Sequence, residues 1–343
     1  MPDVLYIHPS EHGVDSGYKY MDFYFFPWET IMTDNIQDLV YSLAASPNFV
    51  RDGICFAARH SGLYRSEDGG LTWQNAYASL EFDKPLITAA VAVSPNFEAD
   101  RSVFAGVPGG ILRSVDGGKS WYISGLPSPP PFISTLVVSP NFSQDGTLLA
   151  GTMEDGVFRS TDRGSHWSPC NFGLLDLNVL SMAISPEFAS DETLFVGTVS
   201  GIFRSTNGGR AWREVNFPSD FAPVLSLAIS PNYADDGILF AGTESFGLFF
   251  SDDRGNSWTR LGEDILTGAV NAVILSPNFP EKPDILALLG DALLISRDFG
   301  RRWSDWKAEL SIEQGMVSVA APQGLEPGAP LLVGLADGGV LRL

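Results

Sequence analysis

The sequence predicts an all-β fold, a seven-bladed β-propeller with four-stranded antiparallel blades. Three observations support this: a long-period repeat, the strand pattern inside each repeat, and the number of repeats. A box of the form Ser-x-Asp-x-Gly-x-x-Trp, with Asn in place of Asp in one copy, occurs six times at intervals of 45 to 48 residues, as in SVDGGKSW (Ser114 to Trp121). Such a spacing is typical of stacked supersecondary units and is longer than the turn spacing of a β-sandwich.

Each repeat carries the same four strands in the same order. An apolar strand ends in Ser-Pro, as in LAISPNY (Leu227 to Tyr233), and a polar turn leads to a second strand, ILFAGT (Ile238 to Thr243). A Gly-containing link then precedes the third strand, and the box forms a hairpin whose Trp begins the fourth strand. Four short antiparallel strands per repeat are what one propeller blade requires.

The first strand of the repeat occurs seven times, but the box occurs only six times. The seven first strands begin at Ser42, Ala90, Thr135, Ser181, Ser226, Asn271 and Val317. The seventh repeat therefore has three strands, and we expect the segment FYFFPWE (Phe23 to Glu29) to add the fourth and close the ring, because an unpaired sheet edge is unfavourable. We predict one domain over residues 1–343, with the closing strand in 1–35 and seven repeats of about 46 residues in 36–343.

The third and eighth positions of the box are predicted to be structural. A short side-chain oxygen at the third position accepts hydrogen bonds from nearby backbone amides, and the Trp buries its ring. The fourth box has an amide at the third position, which keeps the acceptor and loses the acid, so a catalytic role is not expected there. The residues concerned are Asp68, Asp116, Asp162, Asn207, Asp253 and Asp298, with Trp73, Trp121, Trp167, Trp212, Trp258 and Trp303.

These six boxes resemble Asp-boxes, also called BNR repeats, and the resemblance extends over nearly the whole chain. Asp-boxes occur in sialidases, sortilin-type receptors, xyloglucanases and photosystem II assembly factors. The resemblance implies a propeller in which the box is a folding element on the hairpin between the third and fourth strands. It also implies, by analogy, that function lies where the blades differ.

The links between second and third strands differ most between blades, and we expect them to open on the same face as the blade connections. They carry an imidazole and five carboxyl groups that form a candidate binding face: His60, Glu154, Asp155, Glu244, Asp291 and Asp337. The blade connections add aromatic candidates, for each of which packing between blades is the alternative: Tyr77, Phe82, Tyr122, Phe132, Phe172, Phe217, Phe221 and Trp306.

Other repeated or isolated polar residues are expected to be structural. An arginine precedes the Ser of four boxes, and Arg342 holds the equivalent position in the seventh repeat. We predict solvated or blade-bridging salt bridges for this series: Arg65, Arg113, Arg159, Arg204 and Arg342. Asp235 and Asp236 leave calcium as a minor alternative, but their turn lacks the ligands of a dedicated calcium loop. No metal site and no cofactor are predicted, and Cys55 is read as a small buried hydrophobe.

Charge limits the classes of partner. The chain has 41 acidic and 21 basic residues and a net charge of −20, which disfavours binding to DNA or RNA and favours a protein partner with a basic surface. No apolar run is long enough for a membrane span, and no signal peptide is visible, so a cytoplasmic location is expected.

Two hypotheses for the function remain open. The first is a non-enzymatic interaction or assembly scaffold that uses the acidic and aromatic face, since no nucleophile and base are found together in the sequence. The second is a glycoside hydrolase or glycan-binding propeller. Glycosidases need two carboxyl groups about 5–10 Å apart, and Glu154, Asp155, Glu244, Asp291 or Asp337 could supply such a pair. We favour the scaffold.

Overall fold

The computed structural model describes residues 37–80, 84–126, 131–307 and 314–343. Seven antiparallel sheets form the blades of a β-propeller, and the strands of each sheet are hydrogen-bonded in the order in which they occur along the chain. Six blades have four strands, and blade 7 has three within the described residues. The predicted seven-bladed fold is confirmed.

The first four blades have the following strands. Blade 1 contains β1 (Val40–Ala45), β2 (Cys55–Arg59), β3 (Gly62–Ser66) and β4 (Gln74–Asn75). Blade 2 contains β5 (Ala90–Val93), β6 (Val103–Val107), β7 (Gly110–Ser114) and β8 (Tyr122–Gly125). Blade 3 contains β9 (Phe132–Val138), β10 (Leu148–Met153), β11 (Val157–Ser160) and β12 (Ser168–Pro169). Blade 4 contains β13 (Val179–Ile184), β14 (Leu194–Thr198), β15 (Ile202–Ser205) and β16 (Arg213–Glu214).

The remaining three blades complete the ring. Blade 5 contains β17 (Val224–Ile229), β18 (Leu239–Thr243), β19 (Leu248–Ser251) and β20 (Thr259–Leu261). Blade 6 contains β21 (Ala272–Leu275), β22 (Ile285–Leu288), β23 (Leu293–Ser296) and β24 (Ser304–Asp305). Blade 7 contains β25 (Met316–Ala320), β26 (Leu332–Leu335) and β27 (Val340–Arg342).

Blade 7 packs directly against blade 1, so the two ends of the described chain meet. Strand β25 lies against β1, and the Ser318 hydroxyl donates a hydrogen bond to the Val40 carbonyl oxygen at 2.7 Å. The predicted closing strand, Phe23 to Glu29, lies outside the described residues, and its pairing with β27 stays a prediction.

Glycine in the second strand lets neighbouring blades approach closely. A Cβ atom added at Gly334 would overlap with Val40, and one at Gly242 would lie 2.6 Å from the Val270 carbonyl oxygen of blade 6. Both glycines are buried between neighbouring sheets. Glycine inside a strand usually weakens the strand, and it often marks a site where another backbone approaches closely. The Ala-Gly-Thr pattern of the sequence thus marks the contact between a blade and the next inner strand.

The polar turn after each Ser-Pro is a short helix in blades 1 to 5. The helices are α1 (Phe49–Asp52), α2 (Phe97–Asp100), α3 (Phe142–Asp145), α4 (Phe188–Asp191) and α5 (Tyr233–Asp236). In blade 1 the Ser46 hydroxyl donates to Asp52 Oδ2 at 2.6 Å, and Asp52 Oδ1 accepts from the Ile54 amide at 2.9 Å. The same pair of bonds recurs in the other four blades, so the Ser and the Asp together fix the turn.

The core lies between blades, because both faces of each sheet are covered by neighbours. The aromatic residues that begin α3 and α5 pack edge-on against the second strand of the preceding blade, as Phe142 does against Phe104 with ring centroids 5.6 Å apart. Two 3₁₀ turns, Ala78–Leu80 and Ser219–Phe221, lie in blade connections. Within the described residues, none of the helices has the length and apolar character needed to cross a membrane.

Candidate functional site

The propeller has two different faces. On the box face, each of the six boxes packs on the Ser-Pro turn of its own blade; the Gly69 amide, for example, donates to the Gly53 carbonyl oxygen at 2.9 Å. On the link face, the links between second and third strands contact the blade connections; the Gly156 amide donates to the Leu177 carbonyl oxygen at 2.9 Å. The repeated residues lie mainly on the first face and the variable residues on the second.

On the box face, the third residue of the box holds the hairpin closed. Asp116 Oδ1 accepts hydrogen bonds from the amides of Lys119 and Ser120, both at 2.9 Å, and Oδ2 accepts from the Ser120 hydroxyl. Burial opposes ionisation of Asp116, but these bonds and one from Ser114 outweigh it and lower its pKa to about 2. The pKa values of Asp68, Asp162, Asp253 and Asp298 are also about 2.

Box four keeps this hairpin with an amide instead of a carboxylate. Asn207 Oδ1 accepts from the Ser205 hydroxyl at 2.9 Å and from the Ala211 amide at 2.8 Å. The amide reproduces the acceptor but provides no second carboxylate oxygen. The same turn therefore forms without an ionisable group, as the sequence predicts for a structural position.

The box tryptophans direct their indole N–H groups to two kinds of acceptor. Trp73, Trp258 and Trp303 donate to the Gly carbonyl of their own box. Trp121 donates instead to the Ala76 carbonyl oxygen of blade 1, and Trp212 donates to that of Cys170 in blade 3. The Trp167 ring is buried, and its N–H is without a partner among the described residues.

Arg65, Arg113 and Arg204 bridge consecutive blades on the box face. They do so through hydrogen bonds to neutral acceptors, which corrects the prediction of blade-bridging salt bridges. Arg65 Nε donates to the Gly117 carbonyl oxygen of blade 2 at 2.7 Å, and Arg204 Nη1 donates to the Arg254 carbonyl oxygen of blade 5 at 3.0 Å. In blade 5 the arginine is replaced by Phe250, which packs edge-on against Phe299 of the next box at 5.0 Å. These arginines stay in equivalent positions around the ring and do not converge on one site.

On the link face, a threonine and a glycine fasten the link in blades 3, 4 and 5. In blade 4 the Thr198 amide and hydroxyl both donate to the Gly201 carbonyl oxygen. The Thr152 amide and hydroxyl both donate to the Gly156 carbonyl oxygen, and Thr243 makes the same two bonds to Gly247. We call this arrangement the Thr–Gly lock. In blade 3 it leaves three residues free to vary between its ends, Met153 to Asp155.

The predicted carboxylates occupy separate links. Glu154 is exposed and has φ of 75°, and burial raises the pKa of its neighbour Asp155. Glu244, Asp291 and Asp337 belong to blades 5, 6 and 7. Among the described residues, no hydrogen bond joins any two of these five carboxyl groups.

His60 is held by a neighbouring phenol. Its Nδ1 lies 3.1 Å from the Tyr41 hydroxyl. Burial lowers the pKa of His60, and this effect exceeds the opposite effect of the nearby Asp38 carboxylate, which raises it. Asp236, one of the two residues considered as calcium ligands, accepts hydrogen bonds from the Ser230 hydroxyl and the Ile238 amide. No cluster of three or more His, Cys, Asp or Glu residues able to hold a metal is found in the described part of the chain.

The aromatic candidates divide into buried and exposed residues. Tyr77 is only 5% exposed and bonds to the Thr88 hydroxyl at 3.0 Å; its predicted place on the binding face is therefore corrected, because it packs between blades 1 and 2. Phe221 is partly buried against Phe249, and Trp306 is partly buried in the blade 6–7 core. Tyr122 and Phe132 are exposed. Phe82 lies outside the described residues.

Blade 3 brings exposed apolar side chains close to carboxylates. Phe132 pairs with Met153, the residue before Glu154. The connection to blade 4 contacts the same link, because the side-chain amide of Asn171 donates a hydrogen bond to the Asp155 carbonyl oxygen at 2.8 Å. We define the blade-3 surface as Phe132, Glu154, Asp155, Phe172 and Leu175. Phe172 and Leu175 are both 80% exposed, and Leu175 was not expected from the sequence, although the apolar run FGLLDL interrupts an otherwise polar connection.

Comparison with solved structures supports the fold. A GH74 xyloglucanase from Xanthomonas campestris matches with 18% identity and a TM-score of 0.69 over 90% of this chain and 52% of that one. YCF48 bound to D1 peptide matches with 17% identity and a TM-score of 0.67 over 90% and 92%. The extracellular domain of a putative one-component system from B. thetaiotaomicron matches with 15% identity and a TM-score of 0.66 over 90% and 39%.

Sequence comparisons are negative. No family model matches the chain, and no curated protein matches it. The chain spans about half the length of the xyloglucanase that it resembles. At these identities, the structural similarity establishes the β-propeller fold alone.

Proposed function

We propose that this protein is a non-enzymatic scaffold that binds a protein partner through the blade-3 surface. The observation that carries the proposal is the exposure of Phe172 and Leu175, both 80% exposed. They lie in the connection whose Asn171 side chain binds the link that carries Glu154 and Asp155. Large apolar side chains on a soluble surface lose free energy by staying in water, and clusters of them mark interaction sites.

The chemistry of this surface favours a partner segment that is both basic and apolar. Its two carboxylates attract cations, and the net charge of −20 adds long-range attraction, which increases the rate of association at low salt. YCF48, which shares this fold, was solved with a bound D1 peptide. That complex supports peptide binding by such a ring without identifying the peptide for this chain.

The six boxes have no direct part in binding under this proposal. We propose that they are Asp-boxes with a folding role, since their side-chain oxygens are occupied by the turn. The residues available to a partner are then those that differ between blades.

Affinity capture with matched variants tests the proposal. Proteins retained by the wild-type chain should be lost with the double variant Phe172→Ser/Leu175→Ser, and they should be retained by Leu71→Ser, which changes an apolar residue of similar exposure on the box face. Retention should also weaken with salt and with Glu154→Gln. Equal capture by the wild type and the double variant would exclude the blade-3 surface as the docking site.

A glycoside hydrolase is the second candidate, and the raised pKa of Asp155 favours it. A half-buried carboxyl group whose pKa is raised is suited to act as a general acid. The test is hydrolysis of xyloglucan by the purified protein, with Asp155→Asn and Glu154→Gln as variants. Turnover that is abolished by Asp155→Asn would support this candidate over the scaffold.

A further inference from the structure

A cavity of about 290 Å³ opens on the box face between blades 4 and 5. Its lining includes two arginines, Arg204 from β15 and Arg254 from the fifth box, together with Tyr233, Thr206 and Asp191. Water occupies about 30 Å³ per molecule in the liquid. The cavity therefore has room for a small polar ion and several waters.

The two arginines have only neutral acceptors. Arg204 Nη1 donates to the Arg254 carbonyl oxygen, and Arg254 Nη2 donates to the Ala234 carbonyl oxygen at 2.6 Å. Within the described residues neither guanidinium forms an ion pair, whereas Arg210, on the neighbouring junction between blades 3 and 4, is paired with Glu192 at 2.6 Å. In an acidic chain, this places two cations without an ion-pair partner at one cavity.

The only carboxylate in the lining is already occupied. Asp191 Oδ2 accepts from the Ser185 hydroxyl at 2.6 Å, and Oδ1 accepts from the Thr193 amide at 2.8 Å. Asp191 thus offsets part of the positive charge through space but does not bind either guanidinium. The cavity lining keeps a net positive charge of one.

A tyrosine distinguishes this junction from the others. The first residue of the turn after Ser-Pro is tyrosine in blade 5 and phenylalanine in the other blades that have this turn, at Phe49, Phe97, Phe142, Phe188 and Phe279. Tyr233 is 97% buried by its neighbours and still borders the cavity. Burial raises its pKa to about 12 against the nearby charges of Arg204 and Arg254, so the hydroxyl stays protonated as a donor.

The junction between blades 2 and 3 provides an internal control. It has the same two arginines, Arg113 and Arg163, and Arg163 Nη2 donates to the Ser143 carbonyl oxygen as Arg254 does to Ala234. Phe142 and Val115 stand there in place of Tyr233 and Thr206. The two junctions share this pair of arginines, and the one between blades 4 and 5 adds two hydroxyl groups.

We propose that the cavity between blades 4 and 5 binds an oxyanion, a phosphate or a carboxylate group. Arg204 and Arg254 supply the positive charge and the remaining N–H donors of their guanidinium groups, and Tyr233 and Thr206 supply hydroxyl donors. Arginine is well suited to this chemistry because its planar group matches the geometry of phosphate and carboxylate oxygens. The site lies on the face opposite to the proposed docking surface and does not depend on it.

Calorimetric titration of the full chain with sodium phosphate, and separately with sodium succinate, tests the proposal at constant ionic strength. We expect Arg254→Gln to weaken binding about tenfold, the loss of one charge-assisted contact. Tyr233→Phe, which restores the residue of the other blades, should weaken it severalfold. Arg163→Gln removes an equivalent bond at the control junction and should leave affinity unchanged.

The two probes separate the sources of the anion. Tighter binding of phosphate would assign the site to phosphoryl groups, and tighter binding of succinate would assign it to carboxylates; both support an oxyanion site. The proposal is overturned if neither probe binds the wild type, if binding persists in Arg254→Gln and Tyr233→Phe, or if Arg163→Gln weakens it equally.

Discussion

The box face and the link face are built from the same blades but use their side chains differently. On the box face the polar side chains satisfy the turn that carries them, and the same bonds recur from box to box. On the link face only the ends of a link are fastened, by the Thr–Gly lock in blades 3, 4 and 5, and the residues between them differ. Repetition therefore marks the residues used for folding, and variation marks those available for binding.

The largest loss of stability should come from a substitution that the backbone of the link face cannot accommodate. Gly247 has a φ of 75°, and an added Cβ would overlap with the carbonyl oxygen of Leu266. We expect Gly247→Ala to lower the free energy of unfolding by roughly 3 kcal/mol. Gly268→Ala is the control, since a Cβ there meets nothing within 4 Å; denaturant unfolding that finds equal losses would refute the assignment.

The next effect compares carboxylates on the two faces. Asp116→Ala removes four hydrogen bonds from the second box, and because water replaces part of each we expect a loss of about 2 kcal/mol. Asp291 is exposed in the link of blade 6, and Asp291→Ala should change stability by less than about 0.5 kcal/mol. A similar loss for both variants in chemical denaturation would remove the distinction between the faces.

Acid should weaken the box face selectively. The box aspartates have pKa values of about 2 when folded, against about 3.9 in an unfolded chain. Their ionised form is thus favoured by folding, so this stabilisation is complete above about pH 5 and is lost as pH falls towards 2. Melting temperatures across that range should show the wild type and Asp116→Asn converging at low pH; a constant difference would contradict the assigned pKa.

The sequence was sufficient to predict the fold because the same strand and box pattern recurs along the chain. Seven first strands and six boxes predicted the blade number, and the turn chemistry of Asp116 and its counterparts followed from known preferences of short polar side chains. The site was harder to predict, since it depends on contacts distant in the sequence. Tyr77 looked available in a blade connection, but the Thr88 hydroxyl, eleven residues later, anchors it in the interior.

The sequence pattern also could not predict which single side chains of a blade connection are exposed. Leu174 and Leu175 are adjacent and chemically identical, yet the first is 6% exposed and the second is 80% exposed. The difference arises from a turn in which the Leu174 amide donates to the Asn171 carbonyl oxygen. No periodicity of the sequence marks this turn, because it lies in an irregular connection.

The smallest effect should come from repairing the fourth box. Asn207→Asp alone should change stability by less than about 0.5 kcal/mol, because Ala211 has no hydroxyl to occupy the second carboxylate oxygen. Adding Ala211→Ser recreates the pair formed by Asp116 and Ser120 in the second box, and the two changes together should gain about 1 kcal/mol more than their separate effects. A double-mutant cycle in denaturant measures this coupling. Additive effects would mean that the hairpin is held by the one side-chain oxygen that accepts from the backbone amides. The carboxylates of the other five boxes would then need a reason other than the stability of the hairpin.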